Sequence, residues 1–365
     1  MGSVKDLKIF SPAYENRSGE GYFIFSDRYS IFDYGEMPDH IKNKGRALAV
    51  MSAFNFEGIN MRGIPSHYQG LIRGNAAIRF HDLESGSDGT DTMAVSLAKV
   101  YKPIVRKFLG DDGQPKLEYD YSFFEKNRGK INNYLIPLEM IFRNGLPRGS
   151  SVFARIEDAK KISDANEREK KLKDIYQKLG LSAEPKPGDM LPKPVINYTT
   201  KLESGDRALT EQEAFDVSGL TEKVFSKLKP LILGANDFIT ERAEISRLDP
   251  HWDGKLEMRF IDGRLEIADV LGTLDEDRLG PDVSKELVRQ WYKKTQPEFV
   301  EACKEWKKTG DGWQERMPTK PINLPASLVT LVSQMYMSAA NQYVGKRIFN
   351  TPDLVEVLEK IQPYK

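Results

Sequence analysis

Three stretches of this chain hold the side-chain types that handle phosphates and metal ions. In IPLEMIFRNGLPRGS, Ile136 to Ser150, an apolar run interrupted by Glu139 ends in Arg143, Arg148 and Gly149-Ser150. A guanidinium fork matches phosphate oxygens. A Gly-Ser turn adds backbone N–H groups and a hydroxyl, so together they could hold a phosphate monoester. An ordinary strand end with a surface arginine has the same composition. In DGKLEMRFIDGRLEIADV, Asp253, Lys255 and Glu257 alternate on one strand face, and Asp269 closes the next strand ahead of GTLDEDR, which ends at Arg278. Carboxylates at strand ends suit Mg²⁺, which takes oxygen ligands and keeps waters and phosphates for the rest. In TTKLESGD, Lys201, Glu203 and Asp206 crowd a loop that also reads as a plain polar turn.

Two shorter stretches add to these. SDRYSIFD places Asp27, Ser30 and Asp33 in an aromatic run, where strand alternation can put Asp27 and Asp33 on one face. GSVKD, Gly2 to Asp6, is a glycine-containing turn carrying Ser3 and Lys5. Neither GxGxxG nor GxxxxGK[ST] occurs, so the chain has no Rossmann or Walker loop.

The elements that must position these residues mix strands with helices and do not alternate strictly, which favours an α+β fold. Residues 4–34 read as short strands, and 43–59 as a helix with Ala47, Val50, Met51 and Phe54 at helical spacing. Residues 81–92 read as a loop, 93–108 as strand and 109–116 as a turn. The mixed charges of 157–178 read as one solvated helix, and the prolines of 183–194 as a connector. Residues 210–248 suit helices, as do 284–308 and 325–348. Asp262-Gly263 predicts a two-residue turn for a hairpin over 253–270. That register pairs Leu256 with Asp269 and sets Glu257 on the opposite face, so convergence of the two acids needs a bulge or a different turn.

The chain has 365 residues, more than one small core needs, and 39% of them are hydrophobic. Its 54 basic residues balance 54 acidic ones, without the basic excess of a nucleic-acid binder. No apolar run approaches the ~20 residues of a membrane span. With one cysteine, Cys303, no intramolecular disulfide forms, which fits a cytoplasmic protein. The four histidines lack HExxH spacing.

In this order the blocks resemble the phosphoribosylaminoimidazole-succinocarboxamide synthase family of purine synthesis. GSVKD, SDRYSIFD, IKNKG, IPLEMIFRNGLPRGS, TTKLESGD, DGKLE and ADVLGTLDEDR are each similar to a family block, from Gly2 to about Trp291. The resemblance implies an ATP-dependent ligase that joins L-aspartate to carboxyaminoimidazole ribonucleotide through an acyl phosphate. It implies a two-lobed fold like ATP-grasp and kinase lobes, with ATP in the interlobe cleft and extra C-terminal helices. Residues 1–130 would form a β-rich lobe over the nucleotide, 131–290 the α+β lobe with the metal and substrate residues, and 291–365 a helical extension.

Carried over by position, Gly2, Ser3, Lys5 and Glu139 would meet ATP, and Glu257 and Asp269 would hold Mg²⁺. Lys255 would lie close to the phosphates. Arg143, Ser150 and Arg278 would cradle the ribonucleotide phosphate, and Asp253 and Asp275 would face the imidazole. Lys201 and Asp206 would close the site, with Ser30 and Asp33 on the substrate side. Ser3 stands where the family has a lysine, and Val270 where it has a glutamate. These departures keep two other readings open: the same fold acting on another carboxylate, or a non-catalytic nucleotide binder.

Overall fold

The computed structural model describes residues 4–109, 115–203, 205–280, 283–307, 309–310 and 312–364. Two short strands, β1 (Lys5–Ser11) and β2 (Gly19–Phe25), precede a long helix, α1 (Lys44–Met61). Then come β3 (Tyr68–Arg73), β4 (Ala76–Ile78) and β5 (Thr92–Leu97), and these strands make one five-stranded sheet in the order β1-β2-β5-β3-β4. A separate ribbon of β6 (Ile104–Leu109) and β7 (Pro115–Asp120) leads into the short α2 (Ser122–Lys126).

The second sheet is seven-stranded. Its strands are β8 (Tyr134–Leu135), β9 (Leu138–Leu146), β10 (Asp189–Thr200), β11 (Ala208–Leu209), β12 (His251–Ile261), β13 (Arg264–Ala268) and β14 (Arg278–Leu279). The main path runs β11-β10-β9-β12-β13, with β8 and β14 also paired to β12. Helices α3 (Ser151–Lys160) and α4 (Ala165–Lys178) separate β9 from β10, and α5 (Glu211–Ser218), α6 (Glu222–Phe225) and α7 (Leu228–Ile245) lead to β12. The chain ends in α8 (Glu286–Thr295), α9 (Pro297–Lys307), α10 (Trp313–Arg316), α11 (Ala326–Val344) and α12 (Leu354–Ile361). This is a two-lobed α+β fold.

Small residues let α1 sit deep between these parts. Ala47, Ala49 and Ala53 alternate with Leu48, Val50, Met51, Phe56 and Ile59, and all are buried. Apolar surface on nearly every side is the mark of a helix enclosed by protein. It packs against α11, α7 and the strands of the first sheet. One continuous core runs from Phe23 to Ile361. A second, smaller core of Leu146, Val152, Ile156, Ala159, Ile175, Leu179 and Leu191 lies under α3 and α4.

Several expected elements are corrected here. SDRYSIFD is not a strand: β2 stops at Phe25, and Phe32 and Asp33 take left-handed φ of 56° and 57°. Asp27 instead accepts the backbone N–H groups of Asn43 and Gly45, both at 3.1 Å, and so steadies the entry to α1. The strand expected over 93–108 is split into β5 and β6. The helix expected over 157–178 is two helices, and the Asp164 carboxylate caps the second by accepting from Glu167 N. The 183–194 connector already enters β10 at Asp189. The helix expected over 284–308 restarts at Pro297, which is tolerated in a first turn because its missing N–H has no partner there.

Candidate active site

The second sheet brings the chemistry-bearing residues to one face. Arg143 of β9 lies between Val195 of β10 and Asp253 of β12, and Ile141 between Asn197 and Lys255, while Glu139 pairs with Thr199. Alternation then points Glu139 and Arg143, Asn197 and Thr199, and Asp253, Lys255 and Glu257 the same way. The opposite face carries Met140, Phe142, Tyr198, Leu256 and Met258 into the core. The strand heading into the core thus ends in an arginine because only one of its faces is core.

The hairpin has the register that its turn predicts, with Glu257 opposite Ala268 and φ of 48° and 75° at Asp262 and Gly263. On a regular pleat Asp269 would then point away from Glu257. The obstacle is removed at Asp269 itself, whose φ of 68° is left-handed, a conformation aspartate tolerates better than most residues. His67 holds that turn by donating from Nε2 to the Asp269 carbonyl at 3.0 Å. Burial, with Arg259 beside it, keeps the imidazole neutral, its pKa pushed down to about 3.

Around these two acids lies a cluster of alternating charge. Lys201 Nζ is 2.8 Å from Glu139 and 2.6 Å from Glu257, and Lys255 Nζ is 3.1 Å from Glu139 and 3.2 Å from Glu276. Lys5, from the first sheet, pairs with Asp269 across the two sheets. Burial alone would depress both Lys201 and Lys255, but the carboxylates of Glu257, Glu276 and Glu139 outweigh it and both are held as cations. Burial and then the charge of Asp269 push Glu257 up to about 7. Asp269 is lowered despite its burial, by Lys5 and Lys201. The cavity between them is about 30 Å³, room for a water molecule and no more.

About 13 Å along the strands, four residues away, the character changes. Arg143 is buried; its Nη1 donates to Ser150 Oγ at 2.9 Å and to Asp253 at 3.2 Å. Arg278 Nε donates to Asp253 at 2.7 Å. Gly254 lets this strand approach its neighbours, since a Cβ there would meet Asp277 Oδ2 at 2.0 Å.

Three consecutive acids of GTLDEDR diverge. Asp275 pairs with the fully buried Lys44 at 2.6 Å and accepts from Tyr336 Oη at 2.7 Å. Glu276 turns to Lys255 and, despite burial, is drawn down to about 2 by Lys255 and then Lys285. Asp277 accepts from His251 at 2.9 Å with both side chains wholly buried. Asp206 is on the surface by contact area, yet burial and then Glu139 raise its carboxyl, so it stands at the mouth of the cluster. Asp33 is exposed and pairs with Lys307 of α9, and Ser30 is half-buried in the loop before it. Gly2 and Ser3 lie outside the described residues.

Sequence reasoning missed Glu276, Lys44, His67 and Lys285. Lys44 was visible in IKNKG, and Glu276 in the run of acids, but periodicity does not tell which acid of three turns inward. His67 had no signal, because its role is to a backbone carbonyl 202 residues away.

The SAICAR synthetase family model matches residues 5–306. An Archaeoglobus fulgidus protein, provisionally assigned as a phosphoribosylaminoimidazole-succinocarboxamide synthase, is 38% identical over 366 residues, 99% of each chain. The phosphoribosylaminoimidazole-succinocarboxamide synthase of Thermoplasma acidophilum is 29% identical over 338 residues, 89% of this chain and 93% of that one. Among solved structures, the Saccharomyces cerevisiae SAICAR synthase complexed with SAICAR shares the fold, with a TM-score of 0.59 at 17% identity over 95% of this chain and 94% of that one. The chain belongs to the SAICAR synthetase family, the ATP-dependent ligases that attach aspartate in purine biosynthesis.

Proposed function

We propose that the chain joins L-aspartate to carboxyaminoimidazole ribonucleotide with the ribonucleotide lying along β9 and β12. The observation that carries this is the spacing on one sheet face. A phosphate-type cradle and an acid–lysine cluster stand about 13 Å apart, a separation suited to a ribonucleotide with its phosphate at one end and its reactive carboxylate at the other. In this reading Arg143, Ser150 and Arg278 hold the 5′-phosphate. Asp253 and Asp275 face the imidazole. Lys5, Glu139, Lys201 and Lys255 surround the ATP phosphates, and Asp206 closes the mouth with Ser30 and Asp33 on the substrate side. Residues 1–130 act as the nucleotide-covering lobe.

The donor set fits Mg²⁺. Among the described residues no group of three or more His, Cys, Asp or Glu could hold a metal. Mg²⁺ does not need one, because it is commonly held by one or two carboxylates together with substrate phosphates. Glu257 and Asp269 are such a pair: buried, mutually repelling, and short of positive charge by enough to lift Glu257 to about 7. When bound, the ion would neutralise phosphate charge.

In the first step an oxygen of the imidazole carboxylate attacks the γ-phosphorus and ADP leaves. In the second the neutral aspartate amine attacks the acyl carbon, the bond to the phosphate oxygen breaks, and the amine's proton departs with the phosphate. Lys201 and Lys255, held protonated, stabilise the charge on the transferring group and do not accept protons. Because the cavity is filled by ion pairs, these lysines exchange carboxylate oxygens for phosphate oxygens as ATP enters. A cytoplasmic location goes with this reading.

The test is ADP release with ATP, Mg²⁺, L-aspartate and carboxyaminoimidazole ribonucleotide, omitting each in turn. Release that needs all of them, with the succinocarboxamide formed, is the expected result. Release sustained by a different carboxylate, with none from this ribonucleotide, would sink the substrate assignment.

A further inference from the structure

The phosphate cradle carries more positive charge than its own residues neutralise. Arg143 and Arg278 share one carboxylate, Asp253. Glu286 stands near Arg278 but is already paired with Arg289 at 3.2 Å and Lys293 at 3.3 Å. Arg143 Nε is buried without a hydrogen-bond partner among the described residues, a donor left for a ligand.

A third arginine, exposed on the neighbouring helix, lies close by. Arg155 is on α3, five residues beyond its N-cap Ser150, and lines a cavity of about 430 Å³ together with Val195 and Asn197 of β10. Val195 is the residue paired with Arg143, so the cavity adjoins the cradle. Helical side chains lean toward the helix N-terminus, which sends the long Arg155 side chain back over the first turn of α3, the end of the helix nearest the cradle. Its guanidinium has no ion pair or hydrogen bond among the described residues. The carboxylates sharing its cavity are taken, Asp158 by Lys161 at 2.9 Å and Asp174 by Lys178 at 2.8 Å. Arg155 lies near enough to Arg143 for the two like charges to disfavour each other. Three arginines against the one carboxylate not taken by other cations, Asp253, leave a surplus of two positive charges, which matches the dianion of a phosphate monoester.

We infer that Arg155 is a third arginine of the phosphate site, closing on the 5′-phosphate from the α3 side and giving the protein its preference for a ribonucleotide over the corresponding nucleoside. This deepens the proposed function and rests on its placement of the phosphate at Arg143. A charge-assisted contact of this kind contributes about 10- to 100-fold in affinity.

The experiment is calorimetric binding of ribose 5-phosphate to the full chain and to Arg155→Ala and Arg155→Lys, alongside turnover with carboxyaminoimidazole ribonucleotide and with its phosphate-free nucleoside. Arg155→Ala is expected to weaken ribose 5-phosphate and raise KM for the ribonucleotide by a similar factor within that range, leaving nucleoside turnover unchanged. Arg155→Lys should recover part of both. Unchanged ribose 5-phosphate binding in Arg155→Ala, an equal loss on the nucleoside, or no binding by the unaltered chain overturns the inference. Should the unaltered chain bind ribose 5-phosphate through Arg155 yet turn over no ribonucleotide, the proposed reaction fails and the phosphate site stands.

Discussion

The two ends of the sheet face handle charge in opposite ways. At the lysine end every cation has a carboxylate: Lys5 with Asp269, Lys201 with Glu139 and Glu257, Lys255 with Glu139 and Glu276. At the arginine end, Arg143 and Arg278 share Asp253, and Arg155 has no carboxylate among the described residues. The difference suits the ligands. A polyphosphate that arrives with a divalent cation suits a site with carboxylates to hold that cation, whereas a bare phosphate dianion has only the protein's own cations to meet it. Guanidinium forks also fix the orientation of a phosphate, while lysines act as movable point charges.

The largest expected effect separates the two ends outright. Glu257→Gln should cut Mg²⁺-dependent ADP release by more than about 100-fold, with ribose 5-phosphate binding intact; loss of both would mean that the ends are not independent. The reverse change comes next. Arg278→Ala should raise KM for the ribonucleotide about 10- to 100-fold and leave ATP affinity alone, read by nucleotide titration. Gly254→Ala sits between the ends, and its Cβ would push against Asp277. A stability loss of about 1–3 kcal/mol in denaturant melts should accompany weakening of both ligands, and a variant that weakened only one would show that β12 does not couple them.

Protonation offers a finer probe. With Glu257 near 7, part of the population is protonated at neutral pH, and the metal needs the ionised form. Mg-ATP binding should therefore strengthen from pH 6 to 8 and release protons, seen as a buffer-dependent calorimetric enthalpy that vanishes in Glu257→Gln. The sign for folding is opposite. A raised carboxyl pKa stabilises the fold below its unfolded value, and that contribution is lost as pH climbs to about 7. The smallest effect belongs to Asp33→Asn. An exposed pair with Lys307 is worth less than about 1 kcal/mol, and a Tm shift of many degrees would show that the loop is more deeply tied in than its exposure suggests.

Much of this face was legible because β-strand alternation is strict. Glu139 and Arg143, and Asp253, Lys255 and Glu257, fall an even number of residues apart, so their common direction follows from the sequence. The turn at Asp262-Gly263 was readable for the same reason. What failed was whatever depends on a single backbone angle or a distant partner. The left-handed Asp269 defeats a rule that assumes an unbroken pleat, and Phe32 and Asp33 break the strand expected there. Arg155 was invisible because it lies just before the mixed-charge stretch of 157–178, in a helix that the sequence reading did not place.

The helix pair that carries Arg155 has its own small core, apart from the continuous one beneath the sheet. Segments with separate cores can open without global unfolding. Amides of α3 and α4 should then exchange with deuterium sooner than those of β9 and β12, and a phosphate bridging Arg155 to Arg143 would slow them. The ribonucleotide would thus serve as a clasp, and the protection it confers on these helices would report, residue by residue, how much of its binding energy is invested in closing them.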